Sequence, residues 1–211
     1  MVVPTAPERV IAVDWFSMGN MLALGFKPIA AAVNHSTVPT YFQDDISSIA
    51  DISTADGVDI EKGLSLNPDL VVLDASPSNG GDQLYPQWKA AATTFGYNGG
   101  YAYIEDIERN LTEVARALNL EEQAQKLLSE YHTRVNALAA RVTKAGLASK
   151  PVTVLRVLTG GNHSIRVGTS ESIALRALGI ARPEGQQNPA DLQVRVSEEN
   201  LTLLAPADTI F

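Results

Sequence analysis

An α/β fold in two lobes joined by one long helix is what this sequence predicts, and three observations predict it. Short apolar runs rich in β-branched residues alternate with segments of helical spacing, the pattern of parallel sheets covered on both faces. The stretch from Glu121 to Ala145 keeps helical spacing and contains no Gly or Pro. Beyond Gly146 and Pro151 the alternation of apolar runs and helices resumes.

In chain order, the run from Arg9 to Asp14 reads as a strand, followed by a helix from Ser17 to Leu24 that closes at Gly25. Pro28 to Val33 is a second apolar run, Leu70 to Asp74 a third, and Tyr101 to Ile104 a weaker fourth. Ile107, Leu111, Val114, Ala115 and Leu118 then fall at helical spacing. The long helix follows, and at the usual rise it extends about 35 to 40 Å, enough to bridge two lobes. Val152 to Leu158 is a strand, Thr159 to His163 a turn, and Ser164 to Val167 a second strand of a hairpin. A helix from Glu171 to Leu178 ends at Gly179, a short helix covers Glu198 to Leu204, and Thr209 to Phe211 begins a strand. The boundaries implied are a first lobe over 1–118, a connecting helix over 119–146 and a second lobe over 147–211.

Composition removes several function classes. With 211 residues, 45% hydrophobic and 19% charged, the chain suits a folded core, and no run reaches the roughly 20 apolar residues of a spanning helix. A net charge of -8 without any basic stripe disfavours nucleic acid. The absence of cysteine excludes disulfides, thiolate catalysis and Cys-ligated zinc. Residues Met1 to Thr5 lack a basic and then apolar signal pattern, a start that fits a trimmed targeting segment and a cytoplasmic protein alike. After the first strand comes Asp14-Trp15-Phe16-Ser17, with bulky rings where a dinucleotide-binding turn needs glycine; no Walker-type or Gly-x-Ser-x-Gly motif occurs. The three histidines, His35, His132 and His163, include no two at ligand spacing on one helix.

In an open α/β sheet, ligands sit outside the carboxyl ends of the strands. Trp15 and Phe16 follow the first strand, where they either stack on an aromatic ligand or plug the core. His35 follows the second strand as a ligand contact or a plain loop residue. Ser76 follows the third and can donate hydrogen bonds. Arg156 shares a strand face with Val152, Val154 and Leu158, and Arg166 stands in the facing hairpin strand. Two converging guanidinium groups suit carboxylate, catecholate or hydroxamate oxygens, and a structural salt bridge is the equal alternative.

The segments Pro7 to Val13, Met21 to Gly25 and Pro28 to Ala31 resemble the opening of class III periplasmic binding proteins for siderophores, haem and cobalamin. Asp59-Ile60-Glu61-Lys62, followed by Leu66-Asn67-Pro68-Asp69-Leu70-Val71-Val72, resembles that family's most specific short signature. Val196 to Leu201 and Pro206 to Ile210 resemble its second-lobe stretch. The resemblance implies two Rossmann-like lobes with the ligand between them and the second lobe incomplete, since family members continue past this last strand. It also implies a substrate-binding component of an ABC importer, with no intrinsic cofactor and no catalytic residues. The ligand is then a ferric siderophore, with haem or cobalamin also within the family, and the protein is exported, periplasmic or lipid-anchored. By the same resemblance Thr54 lies among the ligand contacts, although Ala55 stands where a basic residue is common. Glu61 and Glu199, one per lobe, match the glutamates that dock on permease arginines. Two other readings compete: an enzyme on the same scaffold acting on a nucleotide or cofactor, and a direct divalent-metal carrier.

Overall fold

A computed structural model describes residues 4–33, 40–55, 57–77, 80–99, 103–161 and 163–211. It divides into two compact units, Met1–Gly99 with Arg109–Leu127, and Gly100–Glu108 with Leu128–Phe211.

The first unit runs β1 (Val10–Ala12), α1 (Trp15–Ala23), β2 (Ala30–Ala31), α2 (Gln43–Ile46), β3 (Ala50–Asp51), β4 (Ser53–Thr54), β5 (Gly57–Val58), α3 (Ile60–Ser65), β6 (Leu70–Asp74), α4 (Gly81–Ala91) and β7 (Thr94–Tyr97). Two helices, α5 (Ile104–Leu118) and α6 (Glu121–Lys144), then contribute to both units. Five strands form one sheet in the order β3-β2-β1-β6-β7, and every pair is parallel. All residues of β1 and β6 are buried, which is why both read as unbroken apolar runs without alternation. Ile11, Val13, Ala30, Ile52, Val71, Leu73 and Trp88 make the core on one side of this sheet. Strands added after β1 go to one side and those from β6 onward to the other, so the strand order reverses between β1 and β6.

Asp14 holds that junction together. One carboxylate oxygen accepts the Ser17 backbone N–H at 2.8 Å and caps α1; the other accepts the Ser17 hydroxyl at 2.7 Å and the Asp74 backbone N–H at 2.8 Å. The carboxyl is withdrawn from water, and this desolvation pushes its pKa up; the three donors oppose the shift and the nearby Asp74 charge adds to it.

The fourth strand lies at Thr94–Tyr97 rather than Tyr101 to Ile104; Ile104 begins α5, and Tyr101 is outside the described residues. Gly96 interrupts the apolar run in sequence, yet a Cβ there would come within 2.7 Å of the Tyr85 ring, so the strand depends on its absence. Asn119, at φ 61°, closes α5, with the Leu120 N–H donating to the Ala115 carbonyl, and α6 starts two residues later. At 24 residues α6 is unbroken and about 36 Å long, and only Ala124 in it is fully buried. Among the described residues no helix is long and apolar enough to cross a membrane.

The second unit continues with β8 (Val152–Thr153), β9 (Leu155–Arg156), β10 (His163–Arg166), α7 (Ser170–Ala177), β11 (Gln193–Val196) and β12 (Thr209–Ile210). The single strand expected from Val152 to Leu158 is split. β8 pairs in parallel with β12, whereas β9 pairs antiparallel with β10, which also pairs with β11. The chain changes partner at Val154, whose carbonyl accepts from Arg166 N–H while the next N–H, of Leu155, donates to Phe211. The hairpin of β9 and β10 is present, widened to three strands. Ile165, Val167, Val196 and Leu204 form the core beneath it.

Two predictions follow from the first unit's packing. A Cβ on Gly63 would sit 2.6 Å from the ring of the fully buried Trp88 and 3.4 Å from both Ile11 and Ile52. Gly63→Ala is therefore expected to lower stability by about 1–3 kcal/mol in chemical denaturation. For Asp14, the raised folded pKa means its favourable contribution is full below the ordinary carboxylate range and is lost as pH rises through the raised value. Asp14→Asn cannot ionise and gives up acceptor capacity, so thermal unfolding from about pH 4 to about pH 8 should show it well below the parent at the acid end, with the gap narrowing as pH rises. A gap that widens with pH would refute this.

Candidate functional site

In the first unit the C-terminal ends of β1 and β6 open into a pocket of about 310 Å³, lined by Val13, Asp14, Trp15, Phe16, Leu73 and Asp74 among others. This is the crevice that the reversal of strand order leaves between the two strands. Trp15 and Phe16 occupy the first turn of α1, not a free loop, because Asp14 already caps the helix. Trp15 is half-buried and Phe16 is 42% exposed, so neither is a core plug; that role belongs to Trp88, on α4.

Beside the aromatic pair lies a polar floor that sequence reasoning missed. Asp74 is buried, and its carboxylate accepts the backbone N–H groups of Ser76 and Gly99, each at 2.9 Å. Tyr97 places its hydroxyl 3.3 Å from the Ser17 hydroxyl, which is itself bonded to Asp14. The available signal was an aspartate ending each of two buried apolar runs, at 14 and 74. Of the other first-unit residues, Ser76 is buried and is not among the residues lining this pocket. Thr54 is exposed in the hairpin β4–β5 opposite Gly57, and Gly57 rather than Thr54 lines the pocket. His35 lies outside the described residues. Glu61 is exposed in the first turn of α3, behind the Asp59 cap that accepts the Lys62 N–H.

The second unit carries a pocket of about 580 Å³, lined by Arg156, His163, Ser164, Gln193, Arg195 and Asn200 among others. Arg156 is exposed and does not share a face with Val152, because the two belong to different sheets. Among the described residues its guanidinium has no hydrogen-bond or ion-pair partner. Arg166 does not line this pocket; it donates to the Gln193 side chain at 2.9 Å, and its carbonyl is held by Ser172 and Arg182. The convergence expected of Arg156 and Arg166 is instead made by Arg156 and Arg195, which face Ser164 from either side in the three-stranded register. Arg195 was missed because its strand, β11, was not foreseen.

His163, read as the end of a turn, begins β10 and accepts the Leu158 backbone N–H on Nδ1 at 3.3 Å, which leaves Nε2 to carry the proton of the neutral ring. Glu199 is exposed in the 3-10 segment Glu198–Leu204. Among the described residues no group of three His, Asp or Glu side chains is placed to hold a bare metal ion.

Comparison with known proteins gives the chain's relatives. The chain is 26% identical over 190 residues to the probable siderophore-binding lipoprotein YfiY of Bacillus subtilis, covering 87% of this chain and 55% of that protein. It is 25% identical over 139 residues to the Fe(3+)-citrate-binding protein YfmC of the same organism, covering 65% of this chain and 43% of the relative. The chain thus spans about half the length of these relatives. Staphylococcus aureus SirA, solved in complex with staphyloferrin B, superposes with a TM-score of 0.82 at 21% identity, over 100% of this chain and 72% of that one. The likeness to SirA shows a shared fold. A periplasmic binding protein family profile matches residues 10–205, and the chain belongs to that family.

Proposed function

We propose that this chain is the substrate-binding part of an ABC importer, capturing an iron-siderophore or similar metal chelate and delivering it to a membrane permease without chemical change. The observation that carries the reading is the pocket at the reversal of strand order, walled by Trp15 and Phe16, in a chain that matches the periplasmic binding protein family. The relatives named for siderophore and ferric-citrate binding support the ligand class. In this reading Trp15 and Phe16 offer apolar ring faces to the organic part of the chelate, and Arg156 offers directed donors to its oxygens.

Thr54 and Ser76 act near the first pocket's edge and floor rather than on its wall. Arg166 positions Gln193, which lines the second pocket. His35 remains in the proposed ligand set as the residue after the second strand. Glu61 and Glu199 dock the loaded protein on cationic residues of the permease, where exposed charges set encounter rate and register. The two units correspond to the two lobes of such carriers, and the protein works outside the cytoplasmic membrane. It carries no catalytic role.

Two measurements test the reading. Titration with a panel of ferric siderophores, haem and cobalamin should quench Trp15 fluorescence, with the buried Trp88 as a steady background, and Trp15→Phe should remove most of the change. Silence toward the whole panel from a folded protein would overturn the carrier assignment. For docking, Glu61→Arg and Glu199→Arg should each cut stimulation of permease ATPase by about tenfold, with the double variant worse. Full stimulation by the double variant would remove both residues from the docking role.

A further inference from the structure

We infer that the pocket of the first unit seats a cationic arm of the ligand, a protonated amine on an organic chain, between the rings of Trp15 and Phe16 and the carboxylates of Asp14 and Asp74. The inference rests on the chelate-carrier reading and names the part of a chelate that this pocket takes.

The lining sets the charge of the pocket. Asp14 and Asp74 supply two carboxylates, Trp15 and Phe16 two rings, and the other described lining residues are aliphatic or glycine, with no Lys, Arg or His among them. Among the described residues Asp14 is held by neutral donors alone, the Ser17 N–H and hydroxyl and the Asp74 N–H. The titratable groups facing it are Asp74 on β6 and, through the Ser17 hydroxyl, Tyr97 on β7, and neither brings a positive charge. An ionised carboxylate offers about four lone-pair sites. Three donors leave Asp14 with acceptor capacity on the oxygen that takes only the Ser17 N–H. Asp14 and Trp15 are half-buried and Phe16 is exposed, so a ligand can reach them, while Asp74 is buried and adds its charge without contact.

Two carboxylates held close together away from water repel, and a cation placed beside them relieves both at once. An ammonium group also answers the negative faces of aromatic rings, while its hydrocarbon chain packs on the same surfaces. A carboxylate arm meets the opposite: acceptors facing acceptors, with no cation to receive it. The one local feature that would welcome an anion, the positive end of α1, is already occupied by the Asp14 cap. At about 310 Å³ the pocket lies at the low end of small-molecule sites, which suits one arm of a chelate and not the whole of it.

Three ferric trihydroxamates that share one iron core and differ in a terminal group isolate the charge of the arm: a free amine, its N-acetyl amide and its N-succinyl carboxylate. In calorimetric titration of the unaltered chain the amine should bind about tenfold tighter than the amide and the carboxylate more weakly still, with the spread narrowing as salt is added. Asp14→Asn should bring amine and amide to within about threefold of each other. Because that variant also loses acceptors at the helix cap, Phe16→Leu, at an exposed position, serves as a second one, expected to lower the amine-to-amide ratio by about threefold. Equal affinity for amine and amide, or tighter binding of the carboxylate, overturns the cationic-arm inference and leaves the carrier reading standing. A preference for the amine that is unchanged in Phe16→Leu or in folded Asp14→Asn overturns its assignment to this pocket. Failure of all three compounds to bind the folded chain overturns the inference as well, and the fluorescence panel then decides the carrier reading by itself.

Discussion

The Asp14 carboxylate is the constraint on which the first unit depends. It accepts from the helix that follows β1 and from the backbone of β6, so one side chain ties α1, β1 and β6 at the point where strand order reverses. Without such an acceptor, the Asp74 N–H and the first-turn N–H of α1 would both need water in a place where the strands are buried. The cost is a carboxylate held out of water, visible as its raised pKa. That cost falls at the pocket wall, as strained or expensive polar groups in native proteins commonly do. Because α1 is capped there, Trp15 and Phe16 are presented by a helix turn and their positions follow from the sheet.

The second unit solves the same problem of rigid presentation with sheet register in place of a capped helix. β10 is the middle strand, and its final carbonyl, that of Arg166, is gripped by the Ser172 hydroxyl and the Arg182 guanidinium. Arg182 is itself buried, with desolvation and the neighbouring Arg176 charge lowering its pKa, and it reaches Gln186, which also accepts from the Thr153 hydroxyl. This polar network links β8 to the end of β10 even though the two strands lie in different sheets. A shift of β10 by one residue would send Ser164 to the other face and break the row that Arg156 and Arg195 form with it.

Much of this was legible in sequence wherever burial is two-sided or a terminus is marked chemically. β1 and β6 announce themselves as unbroken apolar runs, α1 and α7 end at glycines with φ of 77° and 71°, and α6 follows from 24 residues without Gly or Pro. The misses share a cause: they depend on partners distant in sequence. β7 is hidden by Gly96, which only makes sense once Tyr85 is seen against it. The break at Val154 leaves no local mark, because Val152 to Leu158 has strand character throughout and only the competition between β12 and β10 divides it.

The same dependence governs where the arginines fall. Spacing placed Arg156 and Arg166 on neighbouring strands, which they are, but the register sets Arg156 opposite Ser164, two residues before Arg166 on β10. Position 166 faces Gln193 instead and donates one guanidinium N–H to it. The second cation of the pocket had to come from β11, a four-residue strand between Leu192 and Ser197 whose alternation, Gln-Val-Arg-Val, is too short to stand out as a strand by pattern alone. In the fold, that alternation buries Val196, half-buries Val194 and leaves Arg195 exposed beside the pocket. A three-strand register thus brings residues 39 positions apart into one row beside one pocket, and no local spacing rule could have paired them.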